Sequence, residues 1–413
     1  MNSLAIPAAL DTAGELAGML GDPGTAWPGA PPPGGRSWPQ SLAGGAAGIA
    51  LLHVERARSG HGDWAVARAW LSAAVRGEVT AAANASLFFG APALAFVLHI
   101  AAASSNRYRR ALTAADDATR SITRERLARA NARIDRAERP ELREFDLIRG
   151  LAGLGAYHLS RDPYAETTRA VLAYLVRLTS PFPGTDDLPP WWANAAPSGE
   201  SSPQYRHGHG NFGLSHGIGS VLAVLSLALL RGVTVPGMAD AARRVCAWTD
   251  QWRHGDRQRP WWPGFITIEQ ARQQHVAPAL RPRPSWCYGV SGMARAQQLA
   301  GKALREPARQ DTAESAMLAV LRDPAQLDRL AETGLCHGTA GLLHAAWRMA
   351  ADARTPEISA ELARLSTRLT GQLAQLPHTP ELLDGTAGTA LALHAIGTGI
   401  APAPRWDAFL ALA

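Results

Sequence analysis

Residues 334–352 read GLCHGTAGLLHAAWRMAAD. A turn leads into Gly338-x-x-Gly341, and the run behind it is apolar on most faces. That pattern marks a fully buried helix rather than a surface one. The same arrangement recurs as GAAG from Gly45, GAPA from Gly90, GLAG from Gly150, GIGS from Gly217, GVSG from Gly289 and GTAG from Gly385. The seven copies are spaced by 45, 60, 67, 72, 49 and 47 residues. Between them lie amphipathic segments such as DWAVARAWLSAAVRG, YAETTRAVLAYLVRLTS and ISAELARLSTRLTGQL, with apolar residues at helical spacing. Buried helix alternating with amphipathic helix reads as helical hairpins. An open stack of hairpins needs polar caps at its ends, yet the last copy is as apolar as the middle ones. The expected fold is therefore all-α and closed: an α/α toroid, a double-layered ring of seven helical hairpins over residues 41–413. An N-terminal helix and a Pro/Gly connector are expected in residues 1–40. The small residues should let each inner helix start close to its neighbours at the axis. They also leave bare N–H groups at helix N-termini, whose partial positive charge suits thiolates and other anions.

Composition narrows the class. Hydrophobic residues make up 46% and charged residues 18% of the 413, which excludes global disorder. Three cysteines cannot staple a chain of this length, so a reducing compartment is expected. The N-terminus shows no basic region ahead of an apolar core, so no signal peptide is expected. Ala85–Ser105 is long enough to span a bilayer but contains Pro92, His99 and three serines, which reads as a buried helix and no transmembrane segment. The net charge of 41 − 35 = +6 suggests acidic partners without naming one. Residues 106–144, a possible insert between early helices, interleave eleven Arg with seven acids. That mixture reads as a solvated helix face, so no nucleic acid partner is expected. Two long Pro- and Trp-rich loops, 181–212 and 253–286, each lead into a repeat that carries chemistry.

The chemistry sits just before the repeat glycines. Cys287 lies in SWCYGVSG, and Cys336 and His337 lie in GLCHGTAG. Two thiolates and one imidazole with an open fourth position match a catalytic zinc site. The alternative is two small buried cysteines and a capping histidine. Cys246, mid-helix in ARRVCAW, reads as a core thiol. His216 precedes Gly217 as His337 precedes Gly338, and its side chain suits proton transfer. Asp146, four residues before Gly150, can orient His216 or serve as an ordinary N-cap. His207 and His209 could add a second metal site or lie solvated in a turn. Asp384, before Gly385, reads as a cap.

Taken together these motifs resemble the lanthionine synthetase C-like family, the zinc-dependent cyclases of class I lanthipeptide biosynthesis. The resemblance rests on GLSHGIGS, SWCYGVSG and LCHGTAG in this order, with DLIRGLAGLGAY upstream, and covers about residues 41–395. It implies an α/α toroid with Zn2+ at its mouth, held by Cys287, Cys336 and His337. It implies His216 and Asp146 as the acid/base pair, with Arg283 and Tyr288 near the reacting group; Arg281 offers a competing alignment to Arg283. The implied reaction adds peptide Cys thiols to dehydroalanine or dehydrobutyrine of the same peptide, forming (methyl)lanthionine thioether rings. The implied partners are a dehydrated precursor peptide with its leader and a separate dehydratase. The implied setting is cytoplasmic, within reach of a membrane-associated biosynthetic complex. The chain departs from the family pattern at GAPA and at GIGS, where Ser220 takes the second Gly position. Residues 184–212 are the expected place for substrate-specific differences. A zinc-bearing peptide-binding scaffold without catalysis is the alternative function, and a toroidal glycosidase using Asp146 and Asp384 is a weaker one.

Overall fold

The computed structural model describes residues 5–26, 39–103, 106–181, 188–199, 202–400 and 403–413. Most of the Pro/Gly connector, and parts of the stretch 184–212, lie outside the described residues. Fourteen helices of more than two turns are described: α1 (Ala8–Met19), α2 (Ala46–Arg58), α3 (Trp64–Ala74), α4 (Ala91–Ala102), α5 (Arg109–Asp135), α6 (Leu151–Arg161) and α7 (Glu166–Leu178); then α8 (Ile218–Leu230), α9 (Met238–Gln251), α10 (Val290–Leu304), α11 (Pro307–Leu321), α12 (Thr339–Asp352), α13 (Glu357–Leu373) and α14 (Thr386–Thr398). Every even-numbered helix starts at one of the seven repeat motifs.

The chain divides into two compact units, one of residues 1–122 and 327–406, the other of 123–326 and 407–413. In the first, α14 packs between α12 and α2, and α2 packs on α4. The amphipathic helices α13, α1 and α3 cover α12, α14 and α2 respectively. The N-terminal helix α1 is thus the outer partner of the last repeat. In the second unit α8 packs between α6 and α10, covered by α7, α9 and α11. The all-round apolar character of the repeat helices has the expected consequence. Residues 218–228 of α8 are buried without exception, whereas α9 buries Ala241, Ala242, Val245, Cys246, Trp248 and Thr249 along one stripe. Each fully buried Leu or Val contributes about 1.5–3 kcal/mol relative to an exposed one, so the inner helices carry most of the core energy. The Arg-rich segment forms the single 27-residue helix α5. Its Arg133 pairs with Glu144 at 2.7 Å. Among the described residues no helix is long and apolar enough to cross a membrane.

The glycine pairs do a more local job than expected. In four of the repeats the chain before the inner helix crosses the helix's first turn and passes over the second glycine. A methyl group on Gly341 would stand 1.9 Å from the carbonyl oxygen of Leu335 in the helix's own approach loop. The equivalent distances are 1.8 Å from Gly388 to Leu382 O, 2.1 Å from Gly292 to Trp286 O and 2.2 Å from Gly48 to Leu42 O. Neighbouring repeats come second: Leu335 Cδ1 would lie 2.8 Å from a methyl on Gly388. At GIGS the close approach shifts to Gly219, where an added methyl would lie 2.8 Å from Phe212 O. Ser220 instead bonds Gly217 O at 2.7 Å, so the departure from Gly is absorbed locally.

The approach loops are also laced to one another. Leu42 N donates to Phe88 O (2.9 Å), Leu383 N to Ala43 O (2.9 Å) and Cys336 N to Leu383 O (2.8 Å) in the first unit. Leu147 N donates to Ser215 O and Leu214 N to Cys287 O, both at 3.0 Å, in the second. Each acceptor lies two residues before its repeat glycine, so one register is shared by all these loops. The expected outcome is that Gly341→Ala destabilises the protein by roughly 1–3 kcal/mol, because backbone cannot yield as a side chain would. Gly371→Ala, in α13 with nothing within 4 Å of the added methyl, should instead stabilise by about 0.5–1 kcal/mol. Urea unfolding of the two variants checks this, and equal effects would refute the crossing-strand account.

Candidate active site and metal-binding group

In the second unit Asp146 is 1% exposed, at the turn between Leu142–Phe145 and α6. One carboxylate oxygen accepts from the backbone N–H of Arg149 at 2.6 Å and of Gly150 at 2.8 Å. The other faces His216 Nδ1 at 2.7 Å. The N-cap role and the partnership with His216 are therefore both present in one side chain. An ionised carboxylate only accepts, so Nδ1 carries the proton and Nε2 keeps its lone pair. The imidazole is about one-third exposed while its carboxylate partner is buried, and Nε2 is the nitrogen the carboxylate does not engage.

Tyr288 stacks on His216, with ring centroids 6.1 Å apart and planes 26° from parallel. Its hydroxyl accepts from Asn211 Nδ2 at 3.3 Å. Asn211 sits on β1 (His209–Asn211), which pairs antiparallel with β2 (Phe265–Thr267), Asn211 opposite Phe265. The two loops read from sequence as irregular are thus joined as a short ribbon. Gly210 permits it: an added methyl would lie 2.9 Å from Trp248 and 3.0 Å from Trp192. Asn211 was not foreseen, because nothing in NFGLSHG distinguishes a ribbon from a turn.

His209 is fully buried. Its Nδ1–H donates to Ala195 O at 2.6 Å, and Nε2 lies 3.2 Å from Asn211 Nδ2. Burial pushes its pKa down to about 4, so it is a neutral brace for Asn211. The solvated alternative is corrected, and its two nitrogens are already taken. Cys246 is a buried core thiol, its pKa pushed up to about 12 by burial.

Cys287 is 6% exposed, and its carbonyl accepts from the His216 loop as described above. Ser285 Oγ lies 3.5 Å from its sulfur. Arg281 and Arg283 are half-buried. Arg283 O accepts from Ser285 N at 2.8 Å.

In the first unit, Cys336 and His337 occupy the loop before α12. His337 Nε2 lies 2.6 Å from Glu332 Oε2. Its Nδ1 lies 3.5 Å from Asp384 Oδ1, so Asp384 faces an imidazole, which its sequence reading as a cap did not include. Glu332 also escaped the sequence reading; its one signal is a carboxylate six residues before a repeat glycine, where Arg283 stands in the preceding repeat. Cys336 and His337 in the first unit and Cys287 in the second are metal-ligating residue types, and Glu332, His337 and Asp384, all in the first unit, make up a group that could hold a metal ion. The first set, two soft thiolates and an imidazole, fits zinc and not a hard cation.

A helical-hairpin repeat with cysteine and histidine at its inner-helix starts defines a class, and comparison with known proteins agrees. The family model described as lanthionine synthetase C-like protein matches residues 36–410, and the chain belongs to that family. Among curated proteins it is similar to nisin biosynthesis protein NisC of Lactococcus lactis subsp. lactis, 25% identical over 203 residues, 48% of either chain. That match spans about half the length of the relative. Among solved structures it is similar to nisin cyclase, with a TM-score of 0.76 and 20% identity over 91% of this chain and 92% of that one. The shared fold is the expected all-α one, an α/α toroid.

The buried histidines predict a pH dependence of stability. Burial lowers His209, His53 and His394 to about 4 from an ordinary 6.5. Above pH 6.5 these groups are neutral in both states and their contribution is complete. Between pH 6.5 and 4 the unfolded chain binds protons that the folded chain refuses, so stability falls as pH falls, by on the order of 3 kcal/mol per histidine at full protonation. His209→Gln should flatten that fall in chemical unfolding between pH 7 and 4. An unchanged slope would contradict the assignment of a neutral brace.

Proposed function

We propose that this protein is a zinc-dependent lanthipeptide cyclase. It adds cysteine thiols of a dehydrated precursor peptide to dehydroalanine or dehydrobutyrine of the same peptide, forming lanthionine or methyllanthionine rings. The observation that carries this is the 2.7 Å pairing of His216 with an Asp146 anchored by two backbone N–H groups, in a chain of this family.

Cys287, Cys336 and His337 would hold the zinc. The two cysteines stand at the same position of successive repeats, two residues before the glycine, which supports their acting together. When bound, zinc lowers the pKa of a thiol ligand and so keeps the substrate sulfur as thiolate at neutral pH, where a free thiol of pKa about 8.5 is mostly protonated. The protein's own residues handle the rest. Ring closure forms a C–S bond to the β-carbon, moves the alkene π pair to the α-carbon and its carbonyl, and ends with one proton on the α-carbon. Nothing leaves. His216 Nε2 carries that proton, with the imidazolium stabilised by Asp146. Arg283 offers a guanidinium to the enolate charge. Tyr288, stacked on His216, fixes the ring plane. Holding thiol and alkene of one peptide side by side removes an entropic barrier and selects which ring closes.

The peptide's leader and a separate dehydratase are the partners this chemistry calls for. A reducing, cytoplasmic setting beside that complex suits this chemistry, because the substrate thiol must stay reduced to react.

Purified protein should contain about one zinc per chain, from one open tetrahedral site. His216→Ala should keep the zinc and abolish closure, and Asp146→Asn should slow it by at least about 100-fold. The assay is thiol trapping on a dehydrated precursor, because closure leaves the mass unchanged. Undiminished closure by His216→Ala would remove it from the mechanism. Zinc and peptide binding by the parent without thiol consumption would leave a non-catalytic scaffold.

A further inference from the structure

We infer that Glu332 is a positioning residue for His337, fixing Nδ1 as the nitrogen presented to the metal. The inference rests on the zinc reading above and adds a residue that the sequence motifs do not contain. Glu332 Oε2 lies 2.6 Å from His337 Nε2. A carboxylate that only accepts puts the ring proton on Nε2, so the lone pair is on Nδ1. A ligating histidine held in this way has one tautomer and one ring orientation, and its free nitrogen is the more basic for the negative charge behind it.

The backbone makes Glu332 a dependable support. Its carbonyl accepts from Thr339 N in the first turn of α12 at 2.9 Å, and Thr333 O accepts from Ala340 N at 3.0 Å. The Gly334 N–H is met closely by the same turn, since a methyl on Gly338 would lie 2.4 Å from it. Residues 332–340 thus close on themselves and carry Glu332 and His337 as one piece. Asp384 differs in both respects. It comes from another loop, and at 3.5 Å from Nδ1 it is too far for a strong hydrogen bond. It stands on the side of the ring that the metal takes, so it does not set the tautomer.

The experiment uses the full-length protein and zinc alone. Zinc affinity is read by competition with a chromophoric chelator, and ligand identity by thiolate-to-cobalt absorption after cobalt substitution. Glu332→Gln keeps an acceptor for Nε2–H but removes the charge, and should weaken zinc binding by about 10-fold; Glu332→Ala should approach about 100-fold. Both should still bind one metal with the thiolate–cobalt bands intact, and with a melting temperature of the metal-free protein equal to the parent's. Asp384→Asn should leave the affinity unchanged.

Parental affinity in both Glu332 variants overturns the assignment, as does a larger loss in Asp384→Asn than in Glu332→Ala. Thiolate–cobalt bands absent from the parent, with metal lost in Glu332→Ala, would make Glu332 a direct ligand within the Glu332, His337, Asp384 group, and overturn it too. A parent that binds no stoichiometric zinc brings down the zinc reading itself. A parent that binds zinc with indifferent Glu332 variants brings down only the role of Glu332.

Discussion

The contact between a loop carbonyl and the second glycine, made in four of the repeats, is the constraint on which the rest depends. A strand of backbone lying across the first turn of a helix leaves no room for a Cβ: a methyl added at Gly388, Gly341, Gly292 or Gly48 would stand 1.8–2.2 Å from a loop carbonyl oxygen. It also fixes where the loop must be. Once it is there, the residue two before the first glycine has its carbonyl aimed at a neighbouring loop, and the hydrogen bonds from Leu42, Leu383, Cys336, Leu147 and Leu214 follow. Chemistry-bearing side chains at the two positions before each glycine inherit this placement. They sit on the best-determined part of an otherwise plain helical scaffold, which is what preorganised catalysis requires.

Asp146 shows how closely fold and chemistry are combined. The oxygen that satisfies two orphan N–H groups at the start of α6 cannot move without uncapping the helix. The second oxygen is held rigid by the first, and so therefore is the imidazole it faces. A carboxylate chosen only for catalysis would need its own support. Here the helix terminus supplies it, through the backbone N–H groups of Arg149 and Gly150.

Much of this was legible in the sequence because repetition makes it so. Seven glycine motifs ahead of all-round apolar runs gave the helices, their order and their layering, and Cys287, Cys336, His337 and His216 stood out by position against those glycines. What escaped depends on contacts distant in sequence or on single unremarkable residues. Helix α1 looks like any short amphipathic helix, and its partner α14 begins more than 360 residues later. Asn211 is one polar residue in a glycine-rich loop, and its role exists only because β2, 54 residues further on at Phe265, pairs with it. The role of each glycine was half visible: small residues announce a close approach, but not that the approaching atom belongs to the loop just upstream.

His216 and His337 occupy the same register, one residue before a repeat glycine, and yet different roles are proposed for them. The repeat supplies position, and the surroundings decide function. The partner of His216 is a carboxylate whose side chain is 2% exposed and pinned by two N–H groups. Its oxygen lies 2.7 Å from Nδ1, so the ring keeps one tautomer with the lone pair on Nε2, as the proposed proton carrier requires. The partners of His337 are Glu332 and Asp384, with side chains 47% and 44% exposed. Glu332 holds Nε2 at 2.6 Å, whereas Asp384, exposed and 3.5 Å from Nδ1, holds that nitrogen weakly and can give way to a cation. A buried, over-determined carboxylate on Nδ1 suits the acid/base role proposed for His216, and an exposed, distant one on Nδ1 suits the metal-binding role proposed for His337. The difference between the two sites is thus set by how deeply each carboxylate is buried, on a backbone that is the same in both.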